Sequence, residues 1–101
     1  MTLHQPHYSD ISFLLVYFNA NVYDPEQLLE DLASMPTLDQ EKAKTDMAFL
    51  LSEHRLGLAE FHAATSCTAK NGDVARRFFE DVYRFAFENG EEPDIAKYWN
   101  R

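Results

Sequence analysis

No lysine or arginine occurs in the first 41 residues of this 101-residue chain; Lys42 is the first basic residue. Other residue types are equally scarce. A single cysteine, Cys67, excludes an internal disulfide framework and fits a reducing compartment. Three glycines and four prolines argue against a loop-rich, disordered or collagen-like chain. The glycines are isolated, so there is no Gly-rich phosphate loop. The longest apolar run, Phe13 to Phe18, is six residues, against the roughly 20 that a membrane-spanning helix needs. Met1 to Asp10 holds neither a basic residue nor an apolar core, the two parts of a signal peptide. The expectation is a soluble, cytoplasmic protein with no membrane partner.

What the chain does have is material for a core: 46% hydrophobic residues, with eight Phe, five Tyr and one Trp. The stretch Thr37 to Gly72 organises the reading. Its apolar stripe runs Met47, Leu51, His54, Leu58, Phe61, Thr65 in steps of three and four, widened by Leu50, which is helical spacing. Thr37 and Gln40 match a capping box, and Asn71-Gly72 is a stop signal. At 1.5 Å per residue such a helix is a rod of roughly 50 Å. Gly57 in its middle predicts a close helix crossing, with a break near Arg55 to Leu58 as the alternative. The small residues Ala63 to Ala69 permit close approach of a helix from this chain or a second copy.

Shorter helices surround that rod. Ser9-Asp10 reads as an N-cap before Ile11, Leu14, Leu15, Phe18 and Val22, a helical pattern that competes with a buried strand; helix is favoured because no partner strand is visible. Asp24-Pro25-Glu26-Gln27 starts a second helix with Leu28, Leu29, Leu32 and Met35 on its buried face, ended by Pro36. Asp73 reads as the N-cap of an aromatic helix with one stripe through Val74, Phe78, Val82 and Phe85 and another through Ala75, Phe79 and Tyr83. Asn89-Gly90 stops it, and a short helix from Ile95 to Trp99 follows. The whole is an all-α fold: a compact bundle of four to five helices packed around one long central helix at residues 38–70, one domain over 1–101, with residues 1–8 as a flexible arm.

Catalytic or metal chemistry finds little support in these residues. His54 and His62 are eight positions apart, roughly 12 Å along a helix, too far for one ion with bonds of about 2 Å. His62 and Cys67 point to different sides, and His4 and His7 are separated by Pro6, which opposes a helix there. No Glu-x-x-His pair exists. Cys67 has no nucleophile signature around it. The expectation is no enzyme, no metal and no cofactor.

Charge is the uncommon feature. The formal net charge is −8, which disfavours direct nucleic-acid binding and leaves a basic protein as partner. Asp24, Glu26, Glu30, Asp31, Asp39 and Glu41 lie in the stretch without basic residues, and Glu88, Glu91, Glu92 and Asp94 form a second acidic patch. Helix macrodipoles account for the acids near helix starts but not for 41 positions without a base. Tyr23, Tyr98 and Trp99 complete the candidate partner-binding set as aromatic anchors. The function that fits is a small acidic inhibitor, in its sharpest form an immunity protein that neutralises a basic, nuclease-type toxin by stoichiometric binding. The alternatives are a homodimeric helical adaptor or regulator and a phage-type nucleic-acid mimic.

Overall fold

A computed structural model describes residues 5–100; His4 and its pairing with His7 lie outside them. The described residues form five α-helices: α1 Tyr8–Leu15, α2 Pro25–Ser34, α3 Thr37–Ser52, α4 Leu58–Thr65 and α5 Gly72–Phe87. Turns of 3-10 helix follow α1 at Val16–Phe18 and close the chain at Ile95–Lys97.

The first helix settles the helix-or-strand alternative. Ile11, Leu14, Leu15 and, from the 3-10 turn, Phe18 are fully buried. Its N-cap is His7, two residues before the Ser9 expected, because the Asp10 carboxylate accepts the His7 backbone N–H at 2.7 Å. Pro6 is buried as well, so the expected arm is already packed at that point. Val22 is not on the buried face: helical structure has ended at Phe18, and Val22 is 67% exposed. In α2, Pro25 takes the first turn and Leu28 and Leu32 are buried, whereas Leu29 is exposed and Met35 half-buried. The helix stops at Ser34, as Pro36 requires.

The expected rod over 38–70 is not one helix. α3 ends at Ser52 and α4 begins at Leu58. Between them His54 takes a left-handed conformation (φ 55°), Arg55 N–H reaches back to Leu50 O at 3.0 Å, and Leu56 drops into the core at 2% exposure. The physical reason is burial. Folding the stripe back on itself places Met47, Leu50, Leu56 and Phe61 in one core cluster, whereas a straight rod would project half of that apolar surface beyond the bundle. Gly57 is the N-cap of α4, with its N–H accepted by Glu60 at 3.0 Å. A Cβ there would meet only Glu60 Oε1, at 3.8 Å, so no helix crosses closely. His54, expected on the apolar stripe, is exposed. The Thr37 capping box does not form; Pro36 precedes the first turn, and Gln40 Nε2 donates to Met35 O at 2.8 Å.

α4 also stops short of residue 70. Ser66 is left-handed (φ 64°), and the Thr65 hydroxyl donates to Phe61 O at 2.8 Å while accepting the Cys67 N–H at 3.1 Å. Ala64, Thr65, Cys67 and Ala69 are buried inside the molecule, so Ala63 to Ala69 is not a continuous helical face. Asn71, not Asp73, caps α5, its side chain accepting the Val74 N–H at 2.9 Å.

α5 packs against α3, α4 and α2. Ala75, Phe78, Phe79, Val82 and Phe85 are its buried residues, and Phe78 stands edge-on to Phe18, Phe61, Phe79 and Tyr98 at 5.0–5.7 Å. After Asn89 (φ 57°) the Gly90 N–H donates to Arg84 O at 2.8 Å, and the chain folds back beside α5. The last segment is a 3-10 turn, Ile95–Lys97, in place of the expected helix to Trp99. An isolated antiparallel bridge joins Ala69 and Trp99, with Lys70 N–H to Tyr98 O and Asn100 N–H to Thr68 O. The Cα radius of gyration is 13.1 Å, that of a compact globule of this length.

Candidate partner-binding surface

Two acidic stretches far apart in sequence meet through one tyrosine. Tyr23, just before the start of α2, donates its hydroxyl to Pro93 O. Burial, followed by the negative charges of Glu92 and Asp94, pushes its phenol up to about 12. Asp24 therefore sits in the same region as Glu92 and Asp94, and the two patches adjoin. Glu26 and Glu30 continue the surface along α2, both exposed. Asp31 behaves differently: it accepts Tyr17 Oη–H and, at 2.9 Å, Gln27 Nε2–H. The Tyr17 bond first, then the Gln27 bond, hold its carboxyl below the usual range, and the bond to Asp31, followed by burial, raises the Tyr17 phenol.

The remaining acids are more dispersed. Asp39 and Glu41 are exposed on the first turns of α3. Asp39 belongs to a shallow groove that also contains Asp10, Phe13, Lys42 and Asp46. There the Lys42 ammonium is held charged chiefly by Asp46, at 2.6 Å, with Asp10 and Asp39 adding to it. Glu88, exposed, ends α5. Of the anchors, Trp99 is half-buried against the core, and Tyr98 is only 6% exposed, donating to Asp81. Burial first, then Asp81, raises the Tyr98 phenol. Tyr98 is thus held inward against α5 and does not project as an anchor.

Ion pairing separates the acids into two groups. Among the described residues the bridges are Lys42–Asp46, Arg76–Glu80, Arg84–Glu80 and Arg84–Asp81. None of them uses an acid from the candidate set. Lys42, Arg76 and Arg84 are thereby engaged with Asp46, Glu80 and Asp81, and among the described residues no candidate carboxylate is in an ion pair.

Sequence reading missed the cleft between α5 and residues 90–98. Its volume is about 420 Å³, and Arg77, Asp81, Arg84, Glu91, Glu92 and Lys97 line it together with the Tyr98 ring. The signal was present in the spacing of Arg77, Asp81 and Arg84, which share one helix face at steps of four and three. It was hidden because α5 reads first as an aromatic core helix.

Among the described residues no arrangement of reacting groups stands out. Cys67 is buried, and His62 Nδ1 lies 3.3 Å from the Cys67 carbonyl oxygen rather than against the thiol. His54 Nδ1 accepts from Arg76 at 2.7 Å. Among the described residues no group of three or more His, Cys, Asp or Glu is placed to hold a metal ion, and no helix is long and apolar enough to cross a membrane. The chain matches no protein-family model, no curated protein and no solved structure.

Proposed function

We propose that the protein is a small acidic inhibitor that binds a basic protein partner stoichiometrically, in its sharpest form an immunity protein that neutralises a nuclease-type toxin. The observation that carries this reading is the Tyr23–Pro93 contact, which brings the start of α2 beside the segment that holds Glu92 and Asp94, on a surface whose carboxylates have no ion pair among the described residues. Unpaired surface charge of one sign raises the association rate with an oppositely charged protein and rejects acidic competitors. A nuclease site is cationic because it holds phosphates, so a rigid acidic surface is complementary to it.

The test is co-expression with the proteins encoded beside it, followed by size-exclusion with light scattering at low and high salt. A one-to-one complex with a basic nuclease, weakened by salt, is expected. The double variant Glu26→Lys, Glu92→Lys should lower affinity by at least about tenfold, 1.4 kcal/mol, with helicity unchanged. Unchanged affinity at low salt would sink the reading.

A homodimeric adaptor remains the second reading because Val16 (56% exposed) and Val22 (67% exposed) border an apolar groove that reaches Ala63. A dimer in light scattering, lost on Val16→Glu, would favour it.

A further inference from the structure

The cleft beside α5 is lined by charges of both signs that do not all close on each other: α5 also brings Asp81, which is engaged by Arg84 and Tyr98. α5 contributes Arg77 and Arg84, and the returning segment contributes Glu91, Glu92, Asp94 and Lys97. Arg84 pairs within its own helix, with Glu80 and Asp81. Arg77 and Lys97 have no ion pair among the described residues, nor do Glu91 and Glu92. Exposed opposite charges gain little by pairing in water, so the backbone decides whether they meet. Here the segment is pinned at both ends. A Cβ on Gly90 would lie 2.8 Å from Arg84 Cβ, so the backbone is in direct contact with α5 at that end. At the other end the Tyr98 hydroxyl is bonded to Asp81, and the nearby Arg77 charge acts on the same phenol. About 420 Å³ is thereby held open between the pins, within the roughly 300–1,000 Å³ of ligand sites.

We infer that this cleft grips the partner, and that it takes a partner loop carrying two opposite charges: a basic side chain toward Glu91, Glu92 and Asp94, and a carboxylate toward Arg77 and Lys97. The inference rests on the proposed function and deepens it. A purely cationic loop would set a like charge against Arg77, and a purely anionic one would meet the acidic wall. Only a loop of both signs satisfies both, which makes the cleft a source of specificity rather than of bulk attraction.

The test uses amide-resolved NMR of the full chain, titrated with acetyl-Lys-Asp-amide, acetyl-Lys-Ala-amide and acetyl-Ala-Asp-amide. The two-sign probe should shift the amides of Gly90, Glu92, Lys97 and Tyr98 and bind at least about tenfold tighter than either single-sign probe. Arg77→Glu, at an exposed position, should abolish that advantage while leaving the melting temperature unchanged. Equal affinity for the two-sign and lysine probes, or shifts spread along Glu26 and Glu30, would overturn the inference. With the partner in hand, a loss of affinity on Glu26→Lys, Glu30→Lys but none on Arg77→Glu removes the cleft and keeps the basic-partner reading. No loss on any of them removes both.

Discussion

α5 and the stretch from Thr37 to Thr65 both present helically spaced apolar residues, yet one is unbroken and the other is folded in two. α5 runs 16 residues without a glycine after its first position, and it is the element on which α2, α3 and α4 converge. The 37–65 stretch has the same kind of stripe but bends at His54 to Gly57, and its halves pack against α5 and α1 instead of standing as a rod. A stripe records which residues are buried. It does not record whether they are buried along one axis. In a chain this short, the axis is limited by how much partner surface the other helices can supply.

The comparison is broken most directly at its hub. Phe78 touches four aromatic rings at the centre of the core, so Phe78→Ala should cost about 3–5 kcal/mol, seen as a lower denaturant midpoint at constant slope. Met47, fully buried on α3 in the same core, is smaller than Phe78; Met47→Ala should cost less, about 2–3 kcal/mol. If Met47→Ala proved the costlier, α3 and not α5 would be the organising element. The next effect lies at the C-terminal end of α5. Gly90→Ala forces a Cβ to 2.8–2.9 Å from Arg84 Cβ and C, one of them backbone, and should destabilise by about 1–3 kcal/mol. A melting temperature equal to that of the parent would mean the segment after α5 yields freely.

These positions also show what could be read from the chain alone. Burial was legible in part: Ile11, Leu14, Phe18, Leu28, Phe61, Phe78 and Val82 were assigned to apolar faces and are buried, whereas Val22, Leu29, His54 and Leu58 were assigned to them too and are exposed. The all-α architecture follows from those periods. Boundaries were less legible, because caps are decided by local hydrogen bonds that several neighbours can supply. Asn71 and Asp73 are both good caps, and the structure uses Asn71. The break was legible as the alternative near Arg55 to Leu58, and α4 does start at Leu58; what was not legible is that it reaches back to His54, which fits the stripe and is exposed. On the surface, each acidic patch could be named but not their junction, which depends on Tyr23 reaching Pro93 across 70 positions. Tyr98 was misplaced as an anchor because an aromatic near a chain end looks the same whether it docks inward or outward.

Alkaline titration sharpens the same contrast without a change of volume. The Tyr98 phenol is tied to α5 through Asp81, and Tyr23 ties the start of α2 to Pro93. Both phenols are raised, Tyr23 to about 12 and Tyr98 further. An unfolded tyrosine ionises near 10, so each folded phenol holds its proton more tightly than the unfolded one. The stabilisation they contribute is whole below about pH 10 and is lost as pH rises through the folded values. Denaturant midpoints should therefore hold up to about pH 10 and fall above it, and Tyr98→Phe should flatten that decline more than Tyr23→Phe. Equal, undiminished slopes in both variants would show that neither phenol carries the effect.

The smallest expected effect falls at the break itself, and it separates two explanations for it. If Gly57 were there to let a helix approach, any side chain would overpack the site and cost about 1–3 kcal/mol. The geometry says otherwise: a Cβ meets nothing nearer than Glu60 Oε1 at 3.8 Å, and the residue already has the extended conformation of an N-cap. Serine is a stronger N-cap than glycine, its hydroxyl accepting an N–H of the first turn that is otherwise left to water. Gly57→Ser should therefore be neutral or stabilising by up to about 0.5 kcal/mol. A gain would mean that the turn is held by hydrogen bonding at the start of α4 and by the burial of Leu56. A loss above about 1 kcal/mol would return Gly57 to a packing role and reopen the reading of 37–65 as a rod bent around a crossing helix.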